Sequence, residues 1–285
     1  MSDALRGAPV AGAITERLVP QVEELIARGI TPTLAIVRVG ERPDDLAYER
    51  GATKRAQKVG LGLRRFVLPA DCGQGRLMDA IGEVNADPSI HGCLLLRPLP
   101  SLLDEEAACA ALAPEKDVDC VTEGSLYGVF ANRPRGFPPC TAEAVIELLD
   151  HYGVKLDGAR VTVVGRSLVI GRPLAMMLQA RNATVTMCHT HTRDLAASCR
   201  EADVVIAAAG HARTVGRECV RSGQVVVDVG INWDEVAGRL VGDVDFDAVS
   251  AVVDGITPVP GGVGAVTTAV LAKHVVEAAK RTVGE

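Results

Sequence analysis

The sequence predicts an α/β protein of two lobes, an N-terminal α/β lobe and a C-terminal Rossmann-like lobe built on a doubly wound parallel sheet. Three observations predict it. Short runs rich in Val and Ile recur along the chain, segments with helical periodicity lie between them, and the runs are apolar at almost every position. A strand that is apolar throughout is buried on both faces, and the alternating helices supply the cover.

Taken in order, "TPTLAIVRVG" (31–40) and "GCLLL" (92–96) are the strand runs of the first lobe. "ARVTVVG" (159–165), "ATVTMC" (183–188), "ADVVIAAAG" (202–210) and "GQVVVDVGIN" (223–232) are those of the second. Residues 15–28, 46–59, 142–152 and 171–181 read as helices, and the one over "LAYERGATKRAQKVGLGL" (46–63) runs into Gly60. The Pro- and Gly-rich "NRPRGFPPC" (132–140) is the hinge. The expected division is therefore 1–140 for the N-terminal lobe, joined by a returning C-terminal helix at 266–285, and 141–265 for the Rossmann-like lobe.

Bulk properties narrow the function. At 48% hydrophobic and 23% charged residues, the 285-residue chain is that of a soluble globular protein with room for a real core. Aromatics are 3%, so that core must be built from Val, Ala, Leu and Ile. A net charge of -6 without a long basic run argues against a nucleic-acid surface. No apolar stretch reaches the length of a membrane span, and "MSDALRGAPVAGAI" lacks the form of a signal peptide, so a cytoplasmic protein with no membrane partner is expected. Eight cysteines occur without a CxxC pair, several in strand-like runs such as Cys93 and Cys188, and reduced buried thiols are expected.

"VTVVGRSLVIGRPLAMML" (161–178) has the form strand, turn, helix. Gly165 permits a tight turn, Gly171 a close backbone approach, and Pro173 suits the first turn of a helix. Such a turn, with Arg166 and Ser167 in it, presents a helix N-terminus to a phosphate. The spacing is not GxGxxG, and a plain βα turn uses the same residues; the GxSxG elbow of serine hydrolases does not fit. The next strand ends in His189, Thr190, His191, Thr192 and Arg193, where an Asp or Glu usually meets a free ribose hydroxyl. A 2′-phosphate would find cationic and hydroxyl donors there, so NADP is expected rather than NAD. The two histidines lack a third ligand, and no metal is expected.

Several segments together resemble the methylenetetrahydrofolate dehydrogenase/cyclohydrolase family: "EKDVD" (115–119), "PPCT" (138–141), "GRSLVIGRP" (165–173), "VVDVGIN" (226–232), "VGDVDF" (241–246) and "ITPVPGGVG" (256–264). The resemblance implies a homodimeric, cytoplasmic enzyme that oxidises a tetrahydrofolate derivative, 5,10-methylenetetrahydrofolate, with a nicotinamide cofactor and commonly hydrolyses the methenyl product. It implies a folate site in the first lobe, where Asp119 grips the pterin and Tyr48 packs along it. Pro260, Gly261 and Gly262 of the "PGGVG" turn would let backbone approach the ligands, and Ile231 would lie beside the cofactor. A carboxylate accepting two N–H donors from the ring is a directional device; Asp117 reads instead as a turn aspartate.

The pattern breaks where the family places its catalytic lysine and that lysine's glutamine partner. Those places are Ala52 and Leu96, with Arg97 beside the latter. Lys54, two residues along the helix, would point about 200° away. Cys120 and Ala265 replace a usual glycine and proline. No catalytic residue is therefore assigned, and a dehydrogenase with weak or absent cyclohydrolase is expected. Alternatives are a fully bifunctional enzyme, a non-catalytic folate or nucleotide binder, and a Rossmann dehydrogenase acting on a small acid.

Overall fold

The computed structural model describes residues 2–235 and 238–284. The chain forms two compact units: one takes in residues 13–140 and Thr268 onward, the other the chain up to Gly12 with Thr141–Thr267.

The chain begins with β1 (Asp3–Ala4) and α1 (Gly7–Ala27), whose buried Val10, Ile14, Leu18, Val22 and Leu25 fall three or four apart. β2 (Thr33–Val39), α2 (Pro43–Val59), β3 (Gly62–Leu68), α3 (Gln74–Ala86) and β4 (Gly92–Leu95) then alternate, followed by α4 (Glu105–Ala111) and α5 (Glu123–Ala131). The three strands of this first unit form a parallel sheet in the order β3-β2-β4. Central β2 is buried at all but its first residue, which accounts for its unbroken apolar run. Leu77, Ile81 and Val84 of α3 join Val37, Val39 and Leu95 in one core. Edge strand β3, "GLRRFVL", is absent from the strands expected above because Arg64 and Arg65 are exposed on it. Charge there protects an open sheet edge from further pairing.

The second unit contains α6 (Cys140–His151), β5 (Arg160–Val164), α7 (Gly171–Gln179), β6 (Thr184–Cys188), α8 (Leu195–Arg200), β7 (Val204–Ala207) and β8 (Val225–Asp228). A two-stranded ribbon of β9 (Asn232–Asp234) and β10 (Arg239–Val241), α9 (Phe246–Ser250) and β11 (Gly255–Ile256) lead to α10 (Gly264–Arg281). Its six-stranded sheet has the order β1-β11-β8-β7-β5-β6, every pair parallel. Val164 pairs with Ala207 and Ala207 with Asp228, so β5, β7 and β8 end level. β5 is flanked by β6 and β7, which makes that edge a point where strand order reverses, the usual binding position in such sheets.

One boundary differs from the sequence expectation. Asp3 and Ala4 pair in parallel with Gly255 and Ile256, so the first twelve residues belong with the sheet of the second unit and not with the lobe that follows them. A two-residue strand carries no periodic signal from which this could be read. All eight cysteines are buried free thiols. Among the described residues, no helix is long and apolar enough to cross a membrane.

Candidate active site

In the first unit, the pentapeptide "EKDVD" resolves into a scaffold that presents its last residue. The Lys116 ammonium donates to the carbonyls of Val84 (2.6 Å), Asn85 (3.0 Å) and Asp87 (2.6 Å), closing the carboxyl end of α3. Asp117 is fully buried and accepts from the Val121 and Thr122 amides at 2.9 and 2.8 Å and from the Thr122 hydroxyl at 2.7 Å. It is the turn aspartate. Val118 lies in the core, and Asp119 follows, its carboxylate accepting from the Cys140 amide at 3.1 Å. Cys120 holds φ at 59°, in the left-handed region glycine occupies without strain. That is the physical sense of a glycine at this place.

Tyr48 of α2 is half-buried beside Asp119 and Cys140. Burial, then the charges of Asp119 and Cys140, push its phenol well above the ordinary 10.0, so it stays protonated. Burial also raises the Asp119 carboxyl above 3.8, against the lowering effect of its bonds from Cys140. Ala52 and Ala56 follow Tyr48 at four-residue steps and are 2% and 1% exposed, so the Tyr48 face of α2 is inward. Lys54 is exposed and lines a separate groove with Arg38, Glu49, Arg50 and Arg65. Glu49, next to Tyr48, bridges Arg38 of β2 (2.8 Å) and Arg65 of β3 (3.0 Å), which fixes how α2 sits on the sheet. Leu96 is buried at the end of β4. Arg97 turns to Glu105 at 3.4 Å, and the second Glu105 oxygen accepts from the Leu99 amide at 2.7 Å.

Two of the second unit's cavities at the carboxyl ends of its strands gather the expected residues. One, of about 320 Å³, is lined by Gly165, Arg166, His189 and Thr190, together with Thr192, His211 and Thr214. None of its described lining residues is acidic. His189 is set by two bonds: its amide donates to the Thr192 hydroxyl (2.9 Å), and its Nδ1 accepts from the His191 amide (3.1 Å). Ser167, Gly171 and Pro173 do not line this cavity; they shape the turn before it. Ser167 Oγ accepts from the Ile170 amide at 3.1 Å. A Cβ on Gly165 would lie 2.0 Å from the Ala208 carbonyl oxygen, and one on Gly171 2.2 Å from that of Gly165. Gly165 must be glycine for the turn to pass this close to the end of β7, and Gly171 for α7 to start this close to β5. Pro173 is buried in the first turn of α7, where no amide donor is needed.

The other cavity, of about 340 Å³, brings Ile231 together with Pro260, Gly261 and Gly262, at the ends of β8 and β11. Its rim depends on two aspartates that sequence reasoning passed over. Asp228 accepts from the amides of Gly230 (2.9 Å), Asp243 (2.9 Å) and Val244 (3.0 Å), while Asp243 accepts from Asn232 Nδ2 (2.9 Å) and the Gly210 amide (2.8 Å). A Cβ on Gly230 would meet Asp243 Oδ1 at 2.2 Å, and one on Gly242 would meet Asp228 Oδ2 at 1.8 Å. Asp–Gly pairs in both "VVDVGIN" and "VGDVDF" were the available signal. His211 and Thr214, also unanticipated, carry no local motif.

Comparison with known proteins agrees across both units. Residues 5–119 match the family described as tetrahydrofolate dehydrogenase/cyclohydrolase, catalytic domain, and residues 139–283 its NAD(P)-binding domain. The chain is 52% identical over 279 residues to the bifunctional protein FolD of Carboxydothermus hydrogenoformans, covering 98% of this chain and 97% of the relative. A FolD protein of Clostridioides difficile is 50% identical over 276 residues, covering 97% and 96%. Among solved structures, the bifunctional FolD enzyme of Campylobacter jejuni superposes with a TM-score of 0.95 at 36% identity, over 99% of this chain and 100% of that one. The Trypanosoma brucei dehydrogenase-cyclohydrolase, complexed with NADP and an inhibitor, gives 0.92 at 37% identity, over 100% and 99%.

Proposed function

This chain belongs to the tetrahydrofolate dehydrogenase/cyclohydrolase family, and from that premise we propose that it oxidises 5,10-methylenetetrahydrofolate to the methenyl form with NADP, and that it hydrolyses the product slowly or not at all. The observation that carries the reading is the pairing of a held carboxylate, Asp119, with the half-buried Tyr48 on a helix face whose next position inward is alanine. Asp119 accepts two N–H bonds from the aminopyrimidinone ring, and Tyr48 lies along the folate with its hydroxyl at the polar end. Arg97, paired with Glu105, places a guanidinium at the end of β4, beside Leu96.

Glycine turns and donors of the second unit fit a dinucleotide. Gly165 and Gly171 let the turn close tightly, since a Cβ on either would strike backbone, and Arg166, His189, Thr190 and Thr192 offer a cation, imidazole and hydroxyls without a competing carboxylate. Ser167 and Pro173 shape the turn, and Ile231 lines the second cavity with Pro260, Gly261 and Gly262. The bound cofactor supplies a hydride acceptor. The relative from Trypanosoma brucei was solved with NADP, which supports the same cofactor here.

The bridge carbon loses a hydrogen with both its electrons, and the adjacent nitrogens stabilise the cation that remains. No proton leaves, so the protein's work is alignment and electrostatics, and Ala52 is no obstacle. Hydrolysis differs: water adds to the cation and a proton is released on the way to 10-formyltetrahydrofolate, which a positioned base accelerates.

A second reading keeps both activities, and the names of the bifunctional relatives favour it. It requires a base other than residue 52, and Lys54 lies on another face of α2. The two readings part on whether methenyl product accumulates as NADPH forms. A cytoplasmic homodimer belongs to the same proposal on the family resemblance, and sedimentation of the purified protein checks the dimer. The function itself is tested by following folate-dependent reduction of NADP and NAD separately. We expect kcat/KM to favour NADP by at least about tenfold, as charge-assisted phosphate bonds imply; no folate-dependent reduction of either cofactor would overturn the reading.

A further inference from the structure

Asp119 is one of three carboxylates in its motif, and much of what keeps it in place lies outside the motif, at the start of α6 and on the last helix. His274 of α10 and Cys140 at the start of α6 are both 0% exposed. His274 Nδ1 lies 2.8 Å from the Val118 carbonyl oxygen, and Cys140 Sγ lies 3.2 Å from the same oxygen. A carbonyl only accepts, so Nδ1 carries a proton and both groups donate, filling the two lone pairs of Val118. The peptide whose carbonyl they hold is the one that leads into Asp119, and it is planar, so fixing its oxygen fixes the direction in which Asp119 leaves it. The Cys140 amide then takes the carboxylate itself at 3.1 Å. On the far side, Cys120 at φ 59° and the amides of Val121 and Thr122, tied to Asp117, hold the loop as well.

The imidazole is itself held. Phe137 packs against it with ring centroids 5.0 Å apart and planes inclined by 30°, and the Arg281 guanidinium sits 4.0 Å above the Phe137 ring while donating to the Gly136 carbonyl. The stack sets the ring plane so that one nitrogen meets one carbonyl.

We infer that His274 is a positioning residue for folate recognition: its Nδ1–H, together with the Cys140 thiol, locks the Val118–Asp119 peptide so that the Asp119 carboxylate is pre-set for the two N–H donors of a reduced pterin. The inference rests on the assignment of Asp119 to the pterin. His274 touches no substrate in this reading and acts through Asp119.

Three variants of the full chain test it, each first checked for a cooperative thermal transition. His274→Leu removes the donor, His274→Gln displaces it to the far end of the ring's position, and His274→Asn restores an N–H close to where Nδ1 stood. The inference expects Leu and Gln to raise KM for methylenetetrahydrofolate about tenfold, the weight of one well-placed hydrogen bond, with kcat and KM for NADP within about twofold of the parent. His274→Asn should return KM to within about twofold. A role in folding alone would lower the melting transition without separating the two KM values. If the Leu variant does not fold, the Gln variant carries the reading. Unchanged folate KM in a folded Leu or Gln variant, or failure of Asn to restore it, overturns the inference. Asp119→Asn run alongside separates the two failures: a raised folate KM there with none in the His274 variants sinks this inference only, whereas an unchanged KM sinks the Asp119 assignment and this inference with it.

Discussion

Asp228 is 3% exposed with three backbone amides on its carboxylate, yet burial still lifts its pKa from 3.8 to about 6. The folded state therefore holds a proton that the unfolded chain has released across that interval. The stabilisation from this uptake is complete below pH 3.8 and is lost as pH rises through about 6. A shift of that size corresponds to about 3 kcal/mol. Relative to Asp228→Asn, which cannot titrate, the parent should gain up to about 3 kcal/mol in urea unfolding between about pH 7 and about pH 4; a difference that stays flat with pH would contradict the burial argument. A second residue-scale prediction concerns Ala52 and Leu96. Replacing them together, Ala52→Lys with Leu96→Gln, should raise methenyl hydrolysis by at least about 100-fold, the range of a positioned acid–base group. Little change would favour the bifunctional reading. At this scale the sequence was legible for Asp117, whose turn bonds reach only four and five residues along the chain. It was not legible for Lys116 or for the bond of His274 to Val118, whose partners lie 29 or more residues away and become neighbours only when α3 and α10 have packed.

Among the elements, α2 depends on a charged clamp as much as on its apolar face. Arg38 and Glu49 have side chains 8% and 13% exposed, and a buried pair is costly to halve because the remaining charge has no solvent. Glu49→Ala should destabilise the protein by about 3 kcal/mol, and the double change Arg38→Met, Glu49→Leu should recover most of that. A loss below about 1 kcal/mol in urea unfolding would mean that the pair is effectively solvated. The turn into α7 makes a different prediction. Gly171→Ala places a methyl 2.2 Å from the Gly165 oxygen and must push α7 off β5. We expect KM for NADP to rise at least about tenfold while folate KM stays within about twofold; equal effects on both would argue that the turn serves stability and not the nucleotide. Strands β2, β5, β7 and β8 could be read from their unbroken apolar runs because they are buried on both faces. Edge strand β3 could not, since its two exposed arginines erase the pattern.

For the whole molecule, family motifs in their order along 285 residues conveyed the two-lobed α/β fold, and the tetrahydrofolate dehydrogenase/cyclohydrolase match extends across both units. What motif order could not convey is that the chain up to Gly12 joins the second unit, because β1 pairs with β11 across some 250 residues of sequence. The central claim is chemical: a carbon-bound hydrogen passes to NADP without a protein base, and the step that does need a base is therefore slow. A single-turnover experiment tests it most directly, with excess protein, NADP and 5,10-methylenetetrahydrofolate, following NADPH and methenyltetrahydrofolate together. The account predicts that the methenyl form rises one for one with NADPH and then decays at least about tenfold more slowly than it formed. NADPH appearing with 10-formyltetrahydrofolate, and no build-up of the methenyl form, would contradict it.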